Sequence, residues 1–356
     1  MANKNAGIFL TIGLILSLAG AIYFMPKKKD APVVPFNGRT ELKCVLDIGE
    51  YDDTTRGLLS GYSYTLLSKF AKEVDKTVDI RRYRPDESPL DSLRKGSVDI
   101  VVHPFTGADA PDSTIASKHI DSLFVWLVSE WNMPGKDMID RWISDYYMTD
   151  EYLELRPVFL KPYNPLLAAE KGYRKKILSP YDDIIRKAAD LLGWDWKLLA
   201  ALIFQESQFR LDARSYRGAE GLMQMMPGTA RKHNLDNVID PEENIMSGVK
   251  YIKKLQEIAA RRVTEKTDIE KVTLAAYHAG EGHVIDCFNY AAFKHRPCSN
   301  WEELKAIFPD MAEDAIQQVD TVKLGKFRSD ITQDYVEQVF AYYEAFNSIY
   351  SGPIAP

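Results

Sequence analysis

LIFQESQFRLDARSYRGAEGLMQMMPGTA, residues 202–230, is the stretch on which the reading of this chain turns. It opens as an apolar run, places a single carboxylate, Glu206, at the end of that run, and continues into a loop rich in glycine and methionine from Gly218 to Gly228. Upstream, Asp195 is suited to cap a helix whose first position is Trp196. Leu198 to Phe204 is apolar nearly all round, which predicts a buried helix rather than an amphipathic one. Glu206 falls three and four residues beyond Ile203 and Leu202, hence on their face. Apolar surroundings disfavour the charged carboxylate, and the negative end of the helix dipole adds to that cost. Both effects raise the pKa from a reference of about 4.3.

A carboxyl group that stays protonated near neutral pH is the proton donor that glycosidic bond cleavage needs. The following loop suits such a task. Gly218 and Gly221 permit backbone conformations other residues avoid. Leu222, Met223, Met225 and Met226 offer a polarizable apolar wall, and Gln224 an amide donor and acceptor. A sugar bearing an N-acetyl group presents both an apolar methyl and hydrogen-bonding groups. The same residue types also describe an ordinary helix-end glutamate followed by methionine core packing. Residue types alone leave the two readings open.

The order of the residues narrows the choice. The stretch resembles the signature of the lytic transglycosylases of the goose-type lysozyme-like superfamily. Glu206, Ser207 and Phe209 are followed by Ser215, then by Gly218, Ala219, Gly221, Leu222, Met223 and Gln224, then by Met226, Pro227, Thr229 and Ala230. A second family motif is matched by Ala276-Tyr277-His278-Ala279-Gly280-Glu281-Gly282-His283-Val284, and a third by Tyr335-Val336. The resemblance covers about the last half of the chain. The chain departs from the family pattern in three places: His278 stands for the usual Asn, Glu281 for a common Pro, and Ile331 for an acidic residue. Histidine still hydrogen-bonds but titrates near physiological pH. These departures bear on subsites and pH behaviour, not on the catalytic carboxylate.

At 356 residues the chain has room for two cores. A net charge of −6 and the lack of a basic, aromatic-interleaved stripe argue against a nucleic-acid partner. No dinucleotide fingerprint, P-loop or metal-ligand spacing is present, so no cofactor or metal is expected. Ala6 to Met25 is uncharged and, at about 20 residues, long enough to span a bilayer. Residues 1–25 are therefore expected to be a membrane anchor, with a long signal segment as the alternative. Residues 26–40, with Pro, Lys, Gly and Asn, read as a linker.

Residues 41–170 alternate strand and helix: strands over Leu42–Ile48, Val78–Tyr83 and Val98–Val102, helices over Ser63–Val74 and Pro89–Lys95. That order implies an α/β unit with a parallel sheet. GYSYTLLSKFAKEV and LDSLRKGSVDIVV are similar to the first lobe of the family 3 periplasmic solute-binding proteins, with Ser122–Ser129 as a return strand and Met138–Phe159 as a closing helix. The resemblance implies a single lobe with the second lobe missing, because only about 20 residues separate Val102 from Ser122. Its strand ends are then expected to lie open to water. Residues 171–356 should be almost all helical, with helices starting at Ser179-Pro180, Asp240 and Asp268, a capping box at Ser299 and Glu302, and a last helix over Thr332–Tyr350. The fold class is thus α+β in two domains: an α/β single lobe of periplasmic-binding-protein type, then an all-α lysozyme-like transglycosylase domain.

The resemblance implies cleavage of the MurNAc–GlcNAc β-1,4 bond of peptidoglycan, with 1,6-anhydro-MurNAc formed. Glu206 would be the catalytic residue, and Ser215, Met223, Gln224, Met226, Tyr277, His278 and Tyr335 would contact the substrate. Two other classes remain open: a lysozyme-like peptidoglycan hydrolase using Asp212 or Glu220 as a second acid, and a non-catalytic wall-binding protein of the same fold. The expected partners are glycan strands, the inner or outer membrane through the N-terminus, and a protein or peptide at the first domain. The expected location is the periplasm-facing bacterial cell envelope. In that oxidising compartment Cys287 and Cys298 are expected to form a disulfide while Cys44 stays reduced.

Overall fold

The computed structural model describes residues 35–49, 53–84, 86–160 and 177–351. The expected membrane segment 1–25, the linker as far as residue 34 and the join at 161–176 lie outside the described residues. Residues 35–40 of the linker stretch are part of the fold: Pro35–Gly38 make a 3-10 turn that seats Phe36 in the core.

The first region is a mixed sheet with helices. It runs β1 (Glu41–Leu46), α1 (Asp53–Glu73), β2 (Thr77–Arg82), α2 (Pro89–Arg94), β3 (Ile100–Pro104), β4 (Thr114–Ala116), β5 (Phe124–Ser129), α3 (Met133–Tyr146) and α4 (Asp150–Leu160). The sheet order is β2-β1-β3-β5-β4. β1 pairs in parallel with both β2 and β3, and β5 runs antiparallel to β3 and β4. Parallel neighbours need helical crossovers, which α1 and α2 supply. One sheet face, with Leu42, Cys44, Ile80, Val102 and Trp126, joins the main core, and the other buries Val45, Val101 and Leu127 under Leu93 of α2.

Four sequence expectations shift here. The first helix starts at Asp53 rather than near Ser63, because its opening DTTRG has no apolar residue to reveal the period. The single closing helix over Met138–Phe159 is two helices, since Thr149 breaks the run and its hydroxyl accepts from the Tyr152 amide at 3.2 Å. β4 was too short and too near the sheet edge to be read. Ser299 is not the cap of its helix: Asn300 Oδ1 accepts from the Glu303 amide at 2.9 Å, and Ser299 instead donates to the Glu303 carboxylate.

The second region is helical: α5 (Asp182–Asp190), α6 (Trp196–Ser207), α7 (Pro227–Lys232), α8 (Pro241–Ala259), α9 (Lys266–Ala279), α10 (Glu281–Phe293), α11 (Trp301–Lys305), α12 (Phe308–Met311) and α13 (Ser329–Ser351). Helix α6 is wrapped by α5, by the following loop and by α13, as its all-round apolar sequence requires. Among the described residues no helix is long and apolar enough to cross a membrane.

The two regions share one continuous core. Ser60 Oγ of α1 donates to Asp212 Oδ2 at 2.9 Å, Tyr64 Oη donates to Asp240 Oδ2 at 2.8 Å, and Asn237 Nδ2 donates to the Ile80 carbonyl at 2.7 Å. A Cβ on Gly61 would lie 2.8 Å from both Phe159 and the Tyr181 hydroxyl, so α1 approaches both regions closely.

The expected disulfide is not made. Cys44, Cys287 and Cys298 are all free thiols. Cys287 is buried in α10, where desolvation holds its pKa far above the ordinary value, and Cys298 is pushed up to about 11. The thiolate is the species that forms disulfides, so both are poorly activated.

Candidate active site

Asp195 caps α6 as its sequence suggests, its carboxylate accepting from the Lys197 amide at 3.0 Å. The helix ends at Ser207, with Gln208 in the left-handed conformation, and this leaves Glu206 in the last turn. Glu206 is half-buried. Desolvation pushes its pKa from 4.5 up to about 7, against the opposing effect of a hydrogen bond that the Tyr335 hydroxyl donates to Oε1. No second carboxylate contributes to that shift among the described residues. Tyr335 reaches Glu206 because α13 lies along α6.

The second motif stands next to this pair. Tyr277 Oη donates to the Met223 carbonyl at 2.6 Å, and Glu206's charge is among the causes that raise the Tyr277 pKa, after burial. The His278 ring stacks on Tyr335 with centroids 4.5 Å apart, and its Nδ1 meets Thr332 Oγ1 at 3.1 Å. Burial and the charge of Arg217 hold His278 below the ordinary imidazole value, so it is neutral at neutral pH. Thr332 was not singled out from the sequence. Its signal was its place one turn before Tyr335.

The loop between the motifs is self-braced. Ser215 Oγ accepts from the Ala219 amide at 3.0 Å, closing a turn. Gln224 Nε2 donates to the carbonyls of Ala213 and Gly221, both at 3.0 Å, so its amide nitrogen holds the loop rather than a ligand. Met226 is 44% exposed and free to contact a ligand. Met223 is not: its side chain is fully buried against Gly248, where a Cβ would come within 2.7 Å of it. The groove role read for Met223 is therefore corrected to core packing, with only its carbonyl serving the site. Asn244, also missed, is buried and holds this loop: Oδ1 accepts from the Met223 amide and Nδ2 donates to the Val238 carbonyl, both at 2.9 Å.

The two carboxylates considered as second acids face elsewhere. Asp212 is buried and bonded to Ser60, Glu220 is paired with Arg214 at 3.1 Å, and both line a cavity between the two regions. Among the described residues no group of His, Cys, Asp and Glu is arranged to hold a metal ion.

A half-buried carboxyl with its pKa raised to about 7, a tyrosine on it and a Gly-Met loop beside it make an arrangement able to give and take a proton near neutral pH. Residues 183–297 match the family described as Transglycosylase SLT domain. The chain is similar to membrane-bound lytic murein transglycosylase F. It is 28% identical to that of Desulfosudis oleivorans over 82% of this chain and 65% of the relative. It is 31% identical to that of Aeromonas hydrophila over 48% and 34% of the two chains. It thus spans less than two thirds of the curated relatives it matches. Among solved structures, a lytic transglycosylase Slt from Pseudomonas aeruginosa aligns at 20% identity and TM-score 0.36, covering 61% of this chain and 36% of that one. The 70 kDa soluble lytic transglycosylase of Escherichia coli aligns at 17% and 0.33, covering 84% and 46%.

Proposed function

We propose that the chain is a peptidoglycan lytic transglycosylase that cleaves the MurNAc–GlcNAc β-1,4 bond and leaves a 1,6-anhydro-MurNAc end. The observation that carries this reading is Glu206, a lone carboxyl raised to about 7 with Tyr335 on Oε1. Protonated Glu206 gives its proton to the leaving glycosidic oxygen. The substrate's own N-acetyl group stabilises the cation at C1, so no second carboxylate is required. Glu206, now a base, takes the proton from the C6 hydroxyl, which closes the ring. A pKa near the working pH lets one group serve in both directions. Met226 and the edges of His278 and Ser215 contact the glycan, while Tyr277 and Gln224 hold the loop.

In this reading residues 171–356 are the catalytic domain and residues 41–170 are a single lobe of solute-binding-protein type docked on it. The protein sits in the cell envelope facing the periplasm, with residues 1–25 as its membrane anchor. The hydrolase alternative loses support because Asp212 and Glu220 face the cavity between the regions. Digestion of purified peptidoglycan followed by mass analysis of the products tests the proposal. Anhydro ends are the expected outcome. Reducing ends alone would show a hydrolase, and an unchanged substrate would show a binding protein.

A further inference from the structure

Between the sheet and the helical region lies a cavity of about 750 Å³, within the range of small-molecule sites, about 300–1,000 Å³. One wall is the carboxyl ends of the parallel strands β1 and β2 with the residues just beyond them, including Leu46, Asp47 and Arg82. In open α/β sheets ligands sit in the crevice outside those ends. The other wall is the loop after α6 and residues 236–239. The helical region thus covers part of the strand ends that the sequence suggested would lie open to water, while Tyr83, Arg84 and Arg214 stay exposed at the rim.

Most charges in this cavity already have partners. Asp47 meets His103 Nδ1 at 3.0 Å, Asp212 takes the Ser60 hydroxyl, Arg214 pairs with Glu220 at 3.1 Å, and Arg81 with Asp79 at 3.1 Å. Arg84 lies 3.9 Å from Glu87. Asp236 lies exposed at the rim, and Arg82 differs from all of these. Its Nη2 is buried with no hydrogen-bond partner. A guanidinium cannot lose its proton to escape that cost, and buried donors in folded proteins are as a rule paired with protein, water or ligand. Arg82 continues the alternating row of Val78 and Ile80, so the strand directs it at the helical region. Its planar fork matches carboxylate or phosphate oxygens.

We propose that this cavity is a binding site for a small ligand carrying an oxyanion, which Arg82 holds between the sheet and the helical region. An occupant touches both walls, so it binds the docked arrangement and not the unfolded chain. Occupancy then raises the unfolding temperature in a saturable manner. The site does not depend on the catalytic reading.

The test is thermal unfolding of the full chain with inorganic phosphate or succinate up to about 10 mM, against potassium chloride of equal ionic strength. At least one of the two is expected to raise the transition saturably. Phosphate alone would identify a phosphate ligand, and succinate alone a carboxylate. Arg82→Gln should weaken that binding by about tenfold or more, the scale of one charge-assisted contact, while glycan cleavage is unchanged. Should Arg82→Gln fail to fold, Arg82→Lys decides: it keeps the charge, loses the fork and must still bind more weakly. No shift from either anion beyond the chloride control, or equal binding by the Arg82 variant, overturns the proposal.

Discussion

Burial and Tyr335 pull Glu206 in opposite directions, and burial wins. Three outcomes follow for this pair of side chains. Glu206→Gln should fold and lose at least about 10²–10⁴-fold in turnover, since an amide of the same shape neither gives nor takes the proton. Retention of a tenth of wild-type turnover would remove Glu206 from the mechanism. The same variant should also be the more stable protein at alkaline pH. The folded carboxyl holds its proton to about 7 and the unfolded one only to about 4.5. The stability that Glu206 contributes is therefore full below 4.5 and is lost as the pH rises to about 7, a swing on the order of 3 kcal/mol. Melting curves of both proteins from pH 4 to 8 should diverge over that window, and parallel curves would contradict the raised pKa. Tyr335→Phe removes the one bond that lowers the value. The alkaline limb of kcat/KM should then move to higher pH, with smaller changes on the acid side. A limb that stays in place would mean that the hydroxyl does not govern the carboxyl.

At the scale of elements, the loop after α6 is held by a glycine that has no substitute. Gly221 adopts a φ of +79°, and a Cβ there would lie 2.0 Å from Asn244 Nδ2 and 2.7 Å from the Val238 carbonyl. Gly221→Ala combines left-handed strain with overpacking and should cost about 2–5 kcal/mol, seen as a lower denaturation midpoint together with reduced cleavage. A midpoint within error of wild type would mean that the loop yields easily. The cysteines give a second outcome. Denatured but unreduced protein should titrate three thiols, and one thiol would restore the Cys287–Cys298 bond. What the sequence reveals at this scale is what is local. The capped, apolar α6 and the position of Glu206 in its last turn follow from neighbours within a few residues. The partner of Glu206 comes from another helix, and only the order of motif residues pointed to it. Met223 could not be told from a groove residue, because its burial depends on Gly248 across the fold. The opening DTTRG of the first helix was hidden because it carries no apolar residue, and β4 because three residues are too short to show a period.

Across the whole molecule the two regions are joined by polar contacts as well as by a shared core. Ser60 donates to Asp212, a buried carboxylate in the loop that leads from Glu206 to the methionines. Ser60→Ala removes that donor and should destabilise the protein by about 1–3 kcal/mol, because it deprives a buried charged group of a partner. Differential scanning calorimetry checks this, and an unchanged transition would show that the contact is dispensable. Neither this contact nor the orphaned Arg82 is legible in sequence, since each arises where regions far apart in the chain meet. Glu206 and Tyr335 are 129 residues apart, and the tyrosine belongs to the last helix described. During synthesis the carboxyl emerges from the ribosome long before its partner. In a nascent or truncated chain Glu206 therefore lacks the hydroxyl that holds its pKa down, and the carboxyl reaches its final proton affinity only when the last described helix has been made.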